Sequence, residues 1–316
     1  MKFRYYLPSI FMATASLAVA GNRPVEAAAK PRSVVYEQRH LYGVTAHVVT
    51  VNLNDPHIRV TVNLSAGGIG RSETMDSFVA RLRPTAAITG TFFDTRTLLP
   101  VGDIVTRGRK VYAGPAGTGF AIAADNTVDL KPRRYGRTVD WSDYRTVLCA
   151  GPTLLKNGRN ALFPIAEGYR DSNLFAERPR TAVGMTRQNK MLLVAVNKPI
   201  YLRNMRQIMK GLGAVDAIGL DGGSSSALYA HGKVIVQPAR RLTNLLTVYR
   251  TVAPSRHVAQ RLAGKPIVRM AGRKPAQPAK RKSIVVRHTR RVPPSKPQHP
   301  YKLALKSSMV VASRTR

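Results

Sequence analysis

The sequence predicts an α+β fold: one strand-rich, largely antiparallel or mixed sheet flanked by at least two helices. Short Val/Thr-rich runs recur from Val34 to Tyr249, with turn residues between them. Two amphipathic stripes interrupt them, and each is followed by an apolar run that ends in aspartate. With 316 residues and 44% hydrophobic content, the chain can bury a full core without help. A single cysteine, Cys149, excludes an intramolecular disulfide scaffold and a thiolate metal cluster, and is expected to be a small buried apolar residue.

The elements follow in order. Residues 1–27 read as a secretory signal. Lys2 and Arg4 precede the apolar run Leu7–Ala20, and Ala18-Val19-Ala20 or Val25-Glu26-Ala27 supplies small residues for cleavage. The run is short for a bilayer crossing, which takes about 20 residues; an uncleaved anchor is the alternative. Val44–Leu53 and Ile58–Leu64 read as a hairpin around Asn54-Asp55-Pro56. Met75, Phe78, Val79 and Leu82 form one helical stripe behind the cap Thr74, stopped by Pro84. Further hairpins are expected at 104–112, 120–130, 153–159 and 181–196. The second stripe is Leu202, Met205, Met209 and Leu212, ended by Gly211 and Gly213. The apolar runs after the two helices lead to Asp94 and Asp221. If those strands are neighbours, both carboxylates leave one edge of one sheet, where ligand crevices tend to form.

Residues 34–253 are expected to form one domain, followed by a basic arm over 254–316. The arm holds 17 Lys or Arg, no acid and eight prolines, nearly half of the net charge of +35. It cannot offset its ordering entropy by burial. It is expected to attract anionic envelope polymers. Nucleic acid fits less well, because Tyr301 is the only aromatic residue available for base stacking in the arm.

Leu220-Asp221-Gly222-Gly223-Ser224-Ser225-Ser226 is the strongest local signal. Its glycines permit close backbone approach, and its serines offer hydroxyls and successive N–H groups to an anion. Arg180 opens the run Thr181–Gly184, where a guanidinium can grip phosphate in bidentate fashion. The glycine-rich loop 67–72 lacks a phosphate-loop ending and reads as a plain loop.

Together these segments resemble the phosphodiester glycosidase family, the family of the enzyme that uncovers mannose 6-phosphate and of many bacterial envelope proteins. The family's Asn-Gly-Gly-Phe-Phe block is similar to Thr89-Gly90-Thr91-Phe92-Phe93. Its Ala-Gly-Pro block matches Ala150-Gly151-Pro152, its Arg-Thr-Ala block starts at Arg180, and its Asp-Gly-Gly block is Leu220–Ser226. Thr89, Thr91 and Ser224 depart from the family pattern, and the disulfides of the vertebrate enzyme have no counterpart. The resemblance spans roughly residues 36–249 and implies a hydrolase that cleaves the bond between a sugar and phosphate; the signal-like residues 1–27 add the expectation that it is exported, secreted or periplasmic. Asp221 would be base or nucleophile, Asp94 a second carboxylate or sugar ligand, and Arg180 the phosphate cation. Thr89, Gly90, Phe92, Phe93, Gly151 and Thr181 would line the substrate, with Gly222, Gly223, Ser224, Ser225 and Ser226 beside the phosphate. No cofactor is expected. A Ca²⁺ or Mg²⁺ ion between Asp94 and Asp221 is the alternative, since both ions favour oxygen ligands. A glycan-binding protein without catalysis, held at the envelope by its arm, is the other reading.

Overall fold

The computed structural model describes residues 32–132 and 138–251. Chain contacts group Met1–Arg256 and His257–Arg316 as separate units, and every described residue lies in the first. The expected signal and nearly all of the basic arm lie outside the described residues.

The chain begins with β1 (Val34–Leu41), β2 (Val44–Asn52) and β3 (Ile58–Leu64), then α1 (Met75–Leu82) and β4 (Ala86–Thr89). Next come β5 (Ile104–Thr106), β6 (Arg109–Tyr112), β7 (Thr118–Ala123), β8 (Val128–Pro132) and β9 (Tyr144–Ala150). A short excursion, β10 (Thr153–Lys156), β11 (Arg159–Asn160) and the one-turn α2 (Ser172–Phe175), leads to the long hairpin β12 (Arg178–Thr186) and β13 (Lys190–Ile200). The last part holds α3 (Leu202–Gly211), β14 (Ala214–Gly219), β15 (Leu228–Ala230), β16 (Lys233–Val236) and β17 (Asn244–Arg250).

These strands form three antiparallel sheets rather than the single sheet expected. Their orders are β1-β2-β13-β12-β14-β10-β11, β16-β15-β4-β17-β3 and β6-β5-β9-β7-β8. The fold is mostly β, with helices only at its margins. Alternation along β2 shows why several layers form. Val44, Ala46 and Val48 face one apolar cluster with Met205 and Met209 of α3, whereas Val49 and Val51 face a second. That second cluster is the common core, reached also by Val60 and Val62 of β3, Ile88 of β4 and Phe120 of β7.

Both helices form as their apolar spacing predicts. The Thr74 hydroxyl accepts the Ser77 N–H, and the α1 chain leaves through Arg83 in the left-handed region, just before Pro84. Met75 and Phe78 are fully buried against β4 and β17, a stabilisation of roughly 1.5–3 kcal/mol per side chain.

The later hairpins pair as expected, but the first does not. Asn54-Asp55-Pro56 does turn the chain, with the Asp55 carboxylate accepting the His57 N–H at 2.9 Å. However, β2 pairs with β1 and β13, while β3 pairs with β17. The turn is a corner between sheets, because the apolar faces of β2 and β3 meet across the core instead of lying in one plane. The two aspartate-bearing strands are separated for the same reason. β4 lies between β15 and β17, and β14 lies between β12 and β10 in another sheet. Their ends meet at a seam rather than along one edge.

Candidate active site

Asp221 stands at that seam, and its backbone is pinned from two sides. Its N–H donates to the Gly90 carbonyl at 3.0 Å, and its carbonyl accepts the Thr181 hydroxyl at 2.6 Å. Leu220 N–H donates to the Thr181 carbonyl, holding the end of β14 against β12. The chain then turns through Gly222, where a Cβ would come within 2.9 Å of the Pro179 carbonyl, and Gly223, at φ +58°. Glycine is required at the first by close approach and favoured at the second by the left-handed backbone. Ser225 and Ser226 donate their N–H groups to the carbonyls of Gly222 and Gly223, closing a 3₁₀ turn. The Gly223 and Ser224 amides have no acceptor among the described residues.

A cavity of about 510 Å³ opens over this turn. Asp221 forms part of its wall, with its carboxylate accepting the Gly222 N–H at 2.9 Å. Burial pushes the carboxyl up to about 7, opposed by the Ser225 hydroxyl, the Gly222 N–H and the charge of Arg240. Some of the residue stays in contact with the cavity, but the surrounding protein withholds most of the water that would stabilise the anion. A carboxyl titrating there is poised for proton transfer near neutral pH.

Phe92 and Phe93 reach the cavity from the end of β4, and Phe92 meets Tyr169 edge to face at 6.3 Å between ring centroids. The Tyr169 hydroxyl donates to the Ala150 carbonyl at 3.3 Å. Gly151 packs behind Tyr169, where a Cβ would approach the hydroxyl oxygen to 2.7 Å, and shapes the wall without lining it. The other side brings Asp171 and Asn173, from the start of α2, opposite Arg178 and Arg180 of β12.

Several expected residues have other work. The Asp94 carboxylate accepts the Thr97 N–H at 2.8 Å and the Arg96 N–H at 2.9 Å, and these bonds hold it below the usual carboxylate range. It closes an exposed turn and is not among the residues that line the cavity with Asp221. Thr89 is 1% exposed, its N–H donates to the Ala227 carbonyl at 3.2 Å, and it is not among the cavity-lining residues. Gly90 is needed for packing: a Cβ there would fall 1.8 Å from the Asn244 amide oxygen, which accepts the Thr91 N–H. Ser226 is buried beneath the turn, and its hydroxyl has no partner among the described residues. Thr181 acts through its hydroxyl on the Asp221 backbone. Gly222, Gly223, Ser224 and Ser225 do line the cavity.

Arg180 lines the cavity but is 5% exposed, and its guanidinium is heavily committed. Nε donates to the Ile200 carbonyl, while Nη2 donates to the carbonyls of Asn173, Leu174 and Ala176. Burial and the charge of Arg178 lower its pKa to about 10. It ties α2 to β12 and β13. Arg240, Tyr169, Asp171 and Asn173 are among the cavity residues that sequence reasoning missed. Arg240 is one of 51 basic residues, and its immediate sequence does not mark it out.

On an antiparallel β scaffold the chain thus gathers a half-buried carboxylate, arginines and a Gly-Gly-Ser turn around one cavity. A sequence model of the phosphodiester glycosidase family matches residues 83–249, and the chain belongs to that family. The match contains all four blocks singled out in the sequence and begins after β1–β3 and α1.

Among solved structures, the chain is similar to a hypothetical protein from Synechocystis, with a TM-score of 0.60 and 17% identity. That alignment covers 69% of this chain and 62% of the Synechocystis chain, so less than two thirds of that protein is represented here. The chain is also similar to the catalytic domain of zebrafish N-acetylglucosamine-1-phosphodiester α-N-acetylglucosaminidase, auto-inhibited by its pro-peptide. There the TM-score is 0.57 and the identity 20%, over 69% of this chain and 82% of the other. A Burkholderia pseudomallei protein named as exported aligns with a TM-score of 0.52 and 16% identity, over 65% and 74% of the two chains. No curated protein matches the sequence. At these identities the likenesses show the fold. Among the described residues, no helix is long and apolar enough to cross a membrane.

Proposed function

We propose that this chain is an exported hydrolase that cleaves the bond between a sugar's anomeric carbon and phosphate in envelope or extracellular glycans. The observation that carries the reading is Asp221: a carboxyl raised to about 7, beside arginines and free turn amides, in a member of a glycosidase family. In its ionised form Asp221 takes a proton from water. The water oxygen forms a bond to the anomeric carbon as the bond from that carbon to the phosphate oxygen breaks. The departing oxygen keeps the electron pair and leaves as a phosphate monoester. Cations and N–H groups stabilise that anion directly, which reduces the need for an acid to protonate it. The products are a reducing sugar and the phosphorylated remainder.

Asp171 takes the place in this reading that the sequence assigned to Asp94. One of its oxygens accepts the Asn173 N–H at 2.8 Å, and the other is available to a sugar hydroxyl. Phe92, Phe93 and Tyr169 offer apolar ring surface to the sugar. Export rests on the signal-like residues 1–27 and agrees with the name of the Burkholderia relative. Retention by anionic polymers rests on the charge of residues 254–316.

The test is to incubate the full chain with sugar-1-phosphodiesters, beginning with N-acetylglucosamine because the zebrafish relative is named for it, and to assay reducing sugar. Release that disappears in Asp221→Asn is the expected result. No release from any member would remove the hydrolase and leave the glycan-binding reading.

A further inference from the structure

We infer that Arg240, rather than Arg180, is the cation that takes the substrate phosphate, and that Phe93 holds it in place. The inference rests on the phosphodiester reading of the site. Four backbone carbonyls hold the Nε and Nη2 of Arg180 and leave only Nη1 uncommitted, so it cannot present a paired N–H edge to phosphate without breaking those bonds. Releasing it would leave those buried carbonyls without donors, at the cost of desolvated, unpaired groups. Arg178 is partly committed, with Nη2 donating to the Asn173 side chain at 3.0 Å.

Arg240 is free by comparison. It lines the cavity, is half-buried, and its guanidinium donates to no described residue. It lies 4.6 Å over the centroid of the Phe93 ring. The ring contact commits none of the guanidinium's N–H groups to an acceptor, so the donors that bidentate contact with phosphate oxygens requires are uncommitted among the described residues. The preceding residue anchors it to the turn: Ala239 N–H donates to the Ser224 carbonyl at 2.8 Å. The Arg240 charge also reaches the Asp221 carboxyl and pulls its titration downward. Arg240 therefore stands between the turn and the ring, close to the reacting carboxylate. Its role is to select a sugar with an anionic aglycone over a neutral glycoside. Phe93 acts through it and is a positioning residue.

The test is calorimetric titration of the full chain at about 0.15 M salt, where exposed charges are screened beyond roughly 8 Å. The ligands are the 1-phosphates of N-acetylglucosamine, glucose, mannose and galactose, each against its free sugar. Wild type should prefer a phosphorylated sugar. Arg240→Gln should weaken that ligand about 10- to 100-fold, as expected for losing hydrogen bonds to a charged group, with free-sugar binding unchanged. Arg240→Lys should recover part of the loss, and Phe93→Leu should lower the preference about two- to fivefold. A wild-type preference that persists in Arg240→Gln would overturn the Arg240 assignment while leaving the phosphodiester reading intact. Equal loss of free and phosphorylated sugar in that variant would also overturn it, since the side chain would then be shaping the cavity. A wild type without preference for any phosphorylated sugar would remove both.

Discussion

The N–H of Asp221 and the carbonyl of Gly90 are joined at 3.0 Å, and this bond couples the ends of β14 and β4 across two sheets. Thr181 holds the other side of Asp221, so the carboxylate is positioned by backbone segments remote in sequence. Such an arrangement fixes a reacting group more tightly than a single loop does.

Gly90→Ala tests that seam. The added methyl would meet the Asn244 amide oxygen, and overpacking of this kind costs about 1–3 kcal/mol. Denaturant unfolding should show the loss. Asn244→Ala in the same chain should relieve part of it, because the two changes share one contact.

Asp221→Asn should reduce turnover at least about 100-fold, the lower end for removing a proton-transfer group. In wild type, kcat/KM should rise as pH passes about 7, where the base ionises. A pH profile that falls there would make Asp221 an acid instead.

Stability should run the opposite way. The folded carboxyl titrates near 7 against an ordinary 3.8, so folding favours its protonated form. Its contribution is fully present below about pH 3.8 and is lost as pH rises through about 7. At pH 8, Asp221→Asn should therefore be more stable than wild type. The bound is about 4 kcal/mol at 1.36 kcal/mol per pH unit, reduced by cavity water. Thermal melts of both proteins at pH 5 and pH 8 measure it.

Arg180 and Arg240 should separate by stability. Arg180→Gln strips donors from buried carbonyls and should cost about 2–4 kcal/mol. Arg240→Gln removes a cation that is held over a ring and donates to no described residue, and should stay within about 0.5 kcal/mol. Parallel urea titrations decide this.

Asp94→Ala should leave turnover within about tenfold of wild type, while loosening the 94–97 turn by about 1 kcal/mol, as for loss of a capping carboxylate. Loss of turnover on the scale of Asp221→Asn would return Asp94 to the chemistry.

Local pattern alone determined the two longer helices, most hairpins, the Gly-Gly-Ser turn and the family, because stripes, turn residues and contiguous blocks are short-range features of the chain. Thr74 capping α1 and Asn157-Gly158 turning between β10 and β11 are of this kind. The tertiary structure decided what no local signal encodes: that β2 and β3 part company at Pro56, that Asp94 closes its own turn, and that Arg180 gives its Nε and Nη2 donors to carbonyls. It also decided that Arg240, one arginine among many, meets Phe93 from about 150 residues away. Such choices depend on which faces are buried together, and burial is settled only when the sheets pack.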